Sequence, residues 1–554
     1  MNQNRVKMTI WNKISIGIIA VLSLSCEGLQ KERVDLIIHN ATIYTVNETF
    51  DKEEAMAIQD GRILAIGPEH KIMNKYQSEE VINAKKQFVY PGFIDGHCHF
   101  LGYGLILQKV NLVGTTSWKQ CLDKTTQFAT SHPLGWIQGW GWDQNDWDAN
   151  EYPTNKELNT LFPDRPVMLR RIDGHGAIVN KKALELAGIQ VNTKVVGGNI
   201  VVVDGELTGV LVDNAVELVL KVIPKPSNET KTLALLEAQK NCFAVGLTTV
   251  SEAGIDKSEI ELIQQLHRDS LLQMNVYAMV SDKPENVDYF LNKGPILEPK
   301  LTVRSIKVYA DGALGSRGAA MIDAYSDDAH NHGMMLTPID HMKELAVKSN
   351  AAGFQMNTHC VGDSANRLLL EIYGEVLQGV NDKRWRIEHA QVVQPADMSF
   401  YRTYTIIPSV QPTHATSDMY WVEERLGSER IKSAYAYKEL LKQNKIIALG
   451  TDFPIEGISP LATFYSAVFR VDAASLPEGG FHPENALTAE EALKGMTIWN
   501  AMANFEENQK GSLEVGKKAN ITLLNMDLLT VRAKDFSKME VVTTIVDGEI
   551  VYRK

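Results

Sequence analysis

Two histidines one residue apart, His97 and His99, close the apolar run FVYPGFIDGHCH. Side chains of a β-strand alternate between faces, so both imidazoles fall on one side, where they can reach one cation, and Cys98 points away. Single His359, His389 and Asp452 close three later apolar runs (QMNTHC, RWRIEHA and KIIALGTD), and Lys307 lies within a fourth, RSIKVYAD. A His-x-His pair alone is weak, arising by chance in about one chain in three with this histidine content. His330 and His332 form a second pair, but in the polar stretch YSDDAHNHGMML with no strand before it, and read as surface loop. What separates the first pair is its company: imidazoles and a carboxylate at the ends of several strands are a ligand set for a divalent cation. Nitrogen and oxygen donors suit one or two zinc ions without excluding manganese or iron. Such a cation acidifies bound water to about 7 and polarises a carbonyl, which is hydrolytic chemistry.

Residues this far apart in sequence need a scaffold that gathers strand ends. After the run that ends at His99, further apolar runs begin near Gly246, Asn275, Arg304, Gln355, Arg384, Thr405 and Lys445, with amphipathic stretches between them. Eight strands alternating with helices predict an α/β fold, a (β/α)8 TIM-like barrel whose active site lies at the carboxyl ends of its strands. The 147 residues from His99 to Gly246 are too many for one crossover, so a large insertion follows strand one, at about 108–240. It is rich in tryptophan (Trp136, Trp140, Trp142, Trp147) and carries the polar phrase RRIDGHGAIVN. Short alternating bursts at both ends, each with an Asp-Gly turn at 60–61 and 547–548, predict strands that pair into a small β-sandwich domain bracketing the barrel. The expected organisation is sandwich 33–90, barrel 91–505 and sandwich 511–554.

The phrases PGFIDGHCH, GWGWDQNDW, RRIDGHGAIVNKKALELAGI, GELTGVLVDNA, IKVYADGALGSRGA, NTHCVGDSANR, RIEHAQ, QPTHATSDMYW, ALGTDFPIEG and KGSLEVGKKANITLL occur in this order. Together they resemble the amidohydrolase superfamily, in its YtcJ-like branch that includes N-substituted formamide deformylases, across residues 33 to 554. The resemblance implies a metal-dependent barrel hydrolase with ligands His97, His99, Lys307, His359, His389 and Asp452. A protonated lysine has no lone pair, so Lys307 would act as a carbamate bridging two cations; uncarboxylated, it would pair with Asp311 or a substrate carboxylate, leaving a single metal. Asp452 is the expected general base and then acid in hydrolysis of a carbon–nitrogen bond, an amide or N-substituted formamide of a small molecule. Candidate substrate contacts are Trp140, Trp142, Asp143, Asp173, His175, Arg317, Gln411 and His414, with His414 also weighed as an extra ligand. One alternative is a mononuclear deaminase of a ring amidine, which usually has a glutamate shortly after the strand-five histidine; here Asp363 follows His359 and no Glu does. Another is a non-catalytic ligand-binding surface lipoprotein.

The remaining composition narrows the partners. A formal charge of −12 and no basic run exclude the Lys/Arg-gathered face that nucleic acid requires. Five cysteines at 26, 98, 121, 242 and 360 show no metal-finger spacing, and Cys98 and Cys360 read as small buried hydrophobes. Arg5, Lys7 and Lys13 precede an apolar run from Ile14 to Leu24, too short to span about 30 Å of hydrocarbon, and Cys26 follows Ser25. This resembles a bacterial lipoprotein signal over 1–26, with Cys26 lipidated, and implies an exported protein anchored to a membrane by its N-terminal lipid, in the periplasm or at the cell surface. A homodimer is compatible with the sequence.

Overall fold

The computed structural model describes residues 31–554 apart from 145, 146, 149, 150, 172–175, 196, 197 and 316. The eight apolar runs form a parallel sheet in sequence order: β1 (Phe93–Cys98), β2 (Leu247–Ile255), β3 (Asn275–Ser281), β4 (Leu301–Tyr309), β5 (Gln355–Cys360), β6 (Arg386–His389), β7 (Ile407–Val410) and β8 (Ala448–Leu449). Helices cover its outer face, so the strands are buried on both sides, as β1 is along its whole length.

The sheet curls until β8 meets β1, and the seam is held by side chains as much as by backbone. The Asp452 N–H donates to the His97 carbonyl at 2.8 Å. The Thr451 N–H and hydroxyl donate to the Asp95 carboxylate. Asn500 Nδ2 bridges the strands by donating to the carbonyls of Ile94 and Leu449 at 2.6 and 2.8 Å. Gly450 is required by this close approach, since a Cβ there would stand 2.5 Å from the His97 nitrogen.

The run FVYPGFIDGHCH is two strands rather than one. Phe88–Pro91 pairs with Ile521–Leu524 and Thr42–Tyr44 in a six-stranded sheet, and only after Gly92 does the chain enter the barrel. A Cβ at Gly92 would meet Thr248 at 2.3 Å, so the chain crosses between sheets where only glycine fits. That sheet, completed by Lys52–Glu53, Val541–Val546 and Glu549–Arg553, faces a four-stranded one of Leu36–His39, Ala55–Gln59, Arg62–Gly67 and Glu80–Asn83. Leu36, Ile38, Ile58, Val89, Ile521, Leu523 and Ile545 fill the space between them, so both chain ends share one core. Both Asp-Gly pairs have positive φ at both residues, the type I′ pattern that matches strand twist.

The insertion has a sheet of its own, in the order Val110–Asn111, Ile137–Trp142, Val167–Arg171, Gly176–Val179, Glu206–Asp213, Gly198–Val203. The chain then returns through the helix Asn228–Ala244, which packs on Phe100–Leu107 so closely that a Cβ on Gly104 would lie 2.1 Å from the Ala234 carbonyl oxygen. No helix among the described residues is long and apolar enough to cross a membrane. Cys98, Cys121, Cys242 and Cys360 are buried free thiols, whereas Cys26 lies outside the described residues.

Candidate metal centre

His97 is fully buried at the inner face of β1, and the alternation that turns it inward sends Cys98 out toward the Ser251 carbonyl of β2. His99 follows the strand and is partly open, its ring 5.8 Å from that of His97. His97 Nδ1 is 2.6 Å from Glu388 Oε2, which leaves Nε2 facing the cluster. Glu388 and His389 are neighbours on β6, and simple alternation would send them to opposite faces. The chain escapes this because His389 has φ 73° and Ala390 φ 43°, a left-handed turn out of the strand that brings the His389 ring within 4.9 Å of His97. Gln411, at the start of the helix Pro412–Asp418, places its Oε1 2.7 Å from His389 Nδ1.

Asp452 closes the cluster from β8, also with positive φ (61°). Its Oδ1 is 3.2 Å from His99 Nε2 and 3.6 Å from His97 Nε2, without the alignment of a hydrogen bond to either. One ligand atom each from His97, His389 and Asp452 fall within 4.8 Å of one another, all buried. His359 flanks them, its ring 4.4 Å from that of His389. Lys307 Nζ lies 3.3 Å from His97 Nε2. Asp311 is not its ion partner: that carboxylate accepts the backbone N–H groups of Ala320, Val361 and Gly362.

The electrostatics suit a cation. Burial is the leading cause that holds His97, His359 and His389 below the ordinary imidazole value; Lys307 adds to it for the first two and neighbouring imidazoles for the third. All three are therefore neutral, with lone pairs to donate. Burial works to raise Asp452, but His414 and His99 beside it hold it well below the carboxylate range. Glu388, which burial would also raise, is brought down to about 2 chiefly by His97. Two neutral imidazoles and an ionised carboxylate oxygen, buried and without a hydrogen-bond partner on that oxygen, fit a divalent cation of the zinc type.

The expected substrate contacts divide. His414 joins the cluster, its Nε2 3.3 Å from Asp452 Oδ2, and although burial pulls its imidazolium down, the carboxylates of Asp452 and Glu456 push it up to about 10. Gln411 is 1% exposed and its oxygen is engaged by His389, so it orients a ligand rather than facing a substrate. Trp142 is wholly buried, donating to the Leu169 carbonyl at 2.8 Å with Trp147 beside it, and belongs to the insertion core instead of a binding wall. Asp143, just past the strand Ile137–Trp142, pairs with Arg171 at 2.5 Å, and Trp140 within that strand is exposed. The Arg317 guanidinium is held by both oxygens of Asp327, which also takes Arg425, so it braces the loop after β4. Asp173 and His175 lie outside the described residues. His330 and His332 sit in an exposed loop. Glu388 and Glu456 escaped the sequence reading: the first hides behind the left-handed turn at His389, and the second lies in the phrase TDFPIEG with no periodicity to mark it.

Known proteins share this architecture. The sequence pattern described as the amidohydrolase family matches residues 80–552. YtcJ of Bacillus subtilis (strain 168), provisionally named an amidohydrolase, is 31% identical over 94% of this chain and 99% of its own. The N-substituted formamide deformylase of Arthrobacter pascens is 26% identical over 94% of this chain and 98% of its own. Among solved structures, an uncharacterized metal-dependent hydrolase from Pyrococcus horikoshii OT3 superposes with a TM-score of 0.77 at 28% identity, covering 90% of this chain and 99% of that one.

Proposed function

The chain belongs to the amidohydrolase family and is a hydrolase acting on carbon–nitrogen bonds, and from that premise we propose that it cleaves the amide or N-substituted formamide bond of a small molecule. The observation that carries the reading is the convergence of His97, His389 and Asp452 on one buried point at the carboxyl end of the barrel, with Asp452 Oδ1 near the imidazoles but engaged in no hydrogen bond. A divalent cation, zinc by the donor set, held by these three with His99 and His359 at hand, would supply Lewis acidity toward the carbonyl oxygen and acidify water. Asp452, kept ionised by its histidine neighbours, takes the proton of the attacking water and returns it to the departing nitrogen. Glu388 and Gln411 fix the rings of His97 and His389 through Nδ1, so that Nε2 is the nitrogen offered. Lys307 is buried against His97, and its carboxylation to a bridging carbamate would accommodate a second ion; a mass gain of one carbon dioxide on the intact protein, lost in Lys307→Ala, tests this.

The deaminase alternative loses its acid. Asp363, in the place where a glutamate would be needed, accepts the Ile322 N–H at 2.8 Å and the Gln394 amide at 2.6 Å, and so is committed to the barrel wall. The deciding experiment is metal analysis of the purified protein coupled to a hydrolysis screen over N-formyl, N-acyl and cyclic amides. Metal near stoichiometric with turnover of one class supports the reading; less than about half an equivalent after reconstitution, and no turnover, overturns it. At the other end of the chain, the lipoprotein reading proposes that Cys26 carries the anchor. Labelled fatty acid should then enter the full-length chain expressed in a bacterium and be absent from Cys26→Ser.

A further inference from the structure

Three imidazoles of the cluster are held by the same device. His97 Nδ1 meets Glu388, His389 Nδ1 meets Gln411, and His414 Nδ1 meets Glu456 Oε1 at 3.1 Å. In the third case the ring turned inward is not among the three that converge on the buried point; it touches Asp452 Oδ2, whereas Oδ1 is the oxygen that lies near His97 and His99. Glu456 is itself fixed, because Ser417 Oγ donates to the same Oε1 at 2.6 Å. Ser417 and His414 lie three residues apart on the helix Pro412–Asp418, so the carboxylate is clamped to the element that carries the ring. Beside this clamp is a cavity of about 600 Å³ walled by Glu456, Thr413, Ser417, Tyr465 and Phe536. The two nitrogens of the His414 ring are thus taken by two carboxylates, Glu456 at Nδ1 and Asp452 at Nε2.

We propose that Glu456 is a positioning residue of the hydrolytic site: by holding His414 at Nδ1 it fixes the ring against Asp452 Oδ2, and so fixes the plane of the carboxylate whose other oxygen faces the cluster. This rests on the reading that Asp452 serves carbon–nitrogen hydrolysis. The role asks for an oxygen acceptor at Nδ1 and not for a charge, which separates Glu456→Gln from Glu456→Ala. With the metal-loaded full-length protein and an amide from the screen, Glu456→Ala should lower kcat at least about tenfold and move KM by less than about threefold. Metal content should equal that of the wild type, and Glu456→Gln should recover most of the lost kcat. Crystal structures of the two variants give a second readout: the His414 ring turns toward the cavity in Glu456→Ala and keeps its place in Glu456→Gln. Kinetics of Glu456→Ala within about twofold of wild type, a Glu456→Gln as impaired as the alanine variant, or an unmoved His414 ring in Glu456→Ala each overturns the proposal. If the wild type turns over no amide at all, the hydrolytic reading falls by itself, and the ring orientations in the two variants still decide the positioning role.

Discussion

A carboxylate that is to act first as base and then as acid must be ionised when substrate arrives and must have one oxygen free of permanent partners. Asp452 meets both conditions. Its environment holds it well below the carboxylate range against the effect of burial, and its Oδ1 has no hydrogen bond although it is surrounded by imidazoles. Asparagine in its place keeps the shape and one carbonyl oxygen but cannot take a proton. Asp452→Asn should therefore lower kcat by about two to four orders of magnitude while much of the metal stays bound through the histidines. Wild-type turnover in that variant removes Asp452 from the mechanism, and complete metal loss reassigns it to metal retention alone.

At the level of elements, the site depends on how β1 and β8 meet. Gly450 stands between them with the His97 nitrogen 2.5 Å from where its Cβ would be and the Asp95 carboxylate 2.9 Å away. Neither neighbour can yield cheaply, since one is backbone and the other is bonded to Thr451. Gly450→Ala should push the seam apart and separate His97 from Asp452, so that metal content falls sharply while far-ultraviolet circular dichroism still reports a folded barrel. Undiminished metal content would mean that the seam is not what brings the ligands together. The seam also marks where reading the sequence succeeded and stopped. Strand starts were legible because a buried parallel strand is a short apolar run between turn residues, as at Asn275 and Gln355, where expectation and structure coincide. The division of FVYPGFIDGHCH between two sheets was not, because nothing local distinguishes an apolar run that pairs with the chain end from one that pairs inside the barrel; the partners of each half, Ile521–Leu524 and Leu247–Ile255, lie far away in sequence. The same limit applied to the tryptophans. Exposed Trp140 and buried Trp142 lie two positions apart, and alternation alone would have put them on one face. Gly141, with φ 105°, breaks the register between them, as the shifted pairing to Val167–Arg171 records.

For the molecule as a whole, the response to acid is set by buried groups that resist the proton the unfolded chain would accept. Some of these lie in the metal cluster and will answer to the ion, so the informative one is His267, at the end of the helix Lys257–Arg268. Its Nε2 meets the Met274 carbonyl at 3.0 Å, and its Nδ1 is buried without a partner. Burial, aided by Lys300 and Lys518, lowers this imidazole to about 4 against an unfolded value near 6.5. A base whose folded value is depressed contributes stability that is whole above the unfolded value and lost as pH falls through the folded one. Between about pH 6.5 and 4 the unfolded chain takes up a proton that the folded chain refuses, and the loss is on the order of 3 kcal/mol. His267→Gln, which keeps a donor for the Met274 carbonyl and cannot titrate, should cost little at pH 7.5 and should lose less stability than the wild type on acidification to pH 4.5, with urea midpoints converging or crossing. Parallel midpoints across that range would mean that His267 takes up its proton in the native state as readily as in the unfolded chain, and that the helix end is open enough to hydrate its charge.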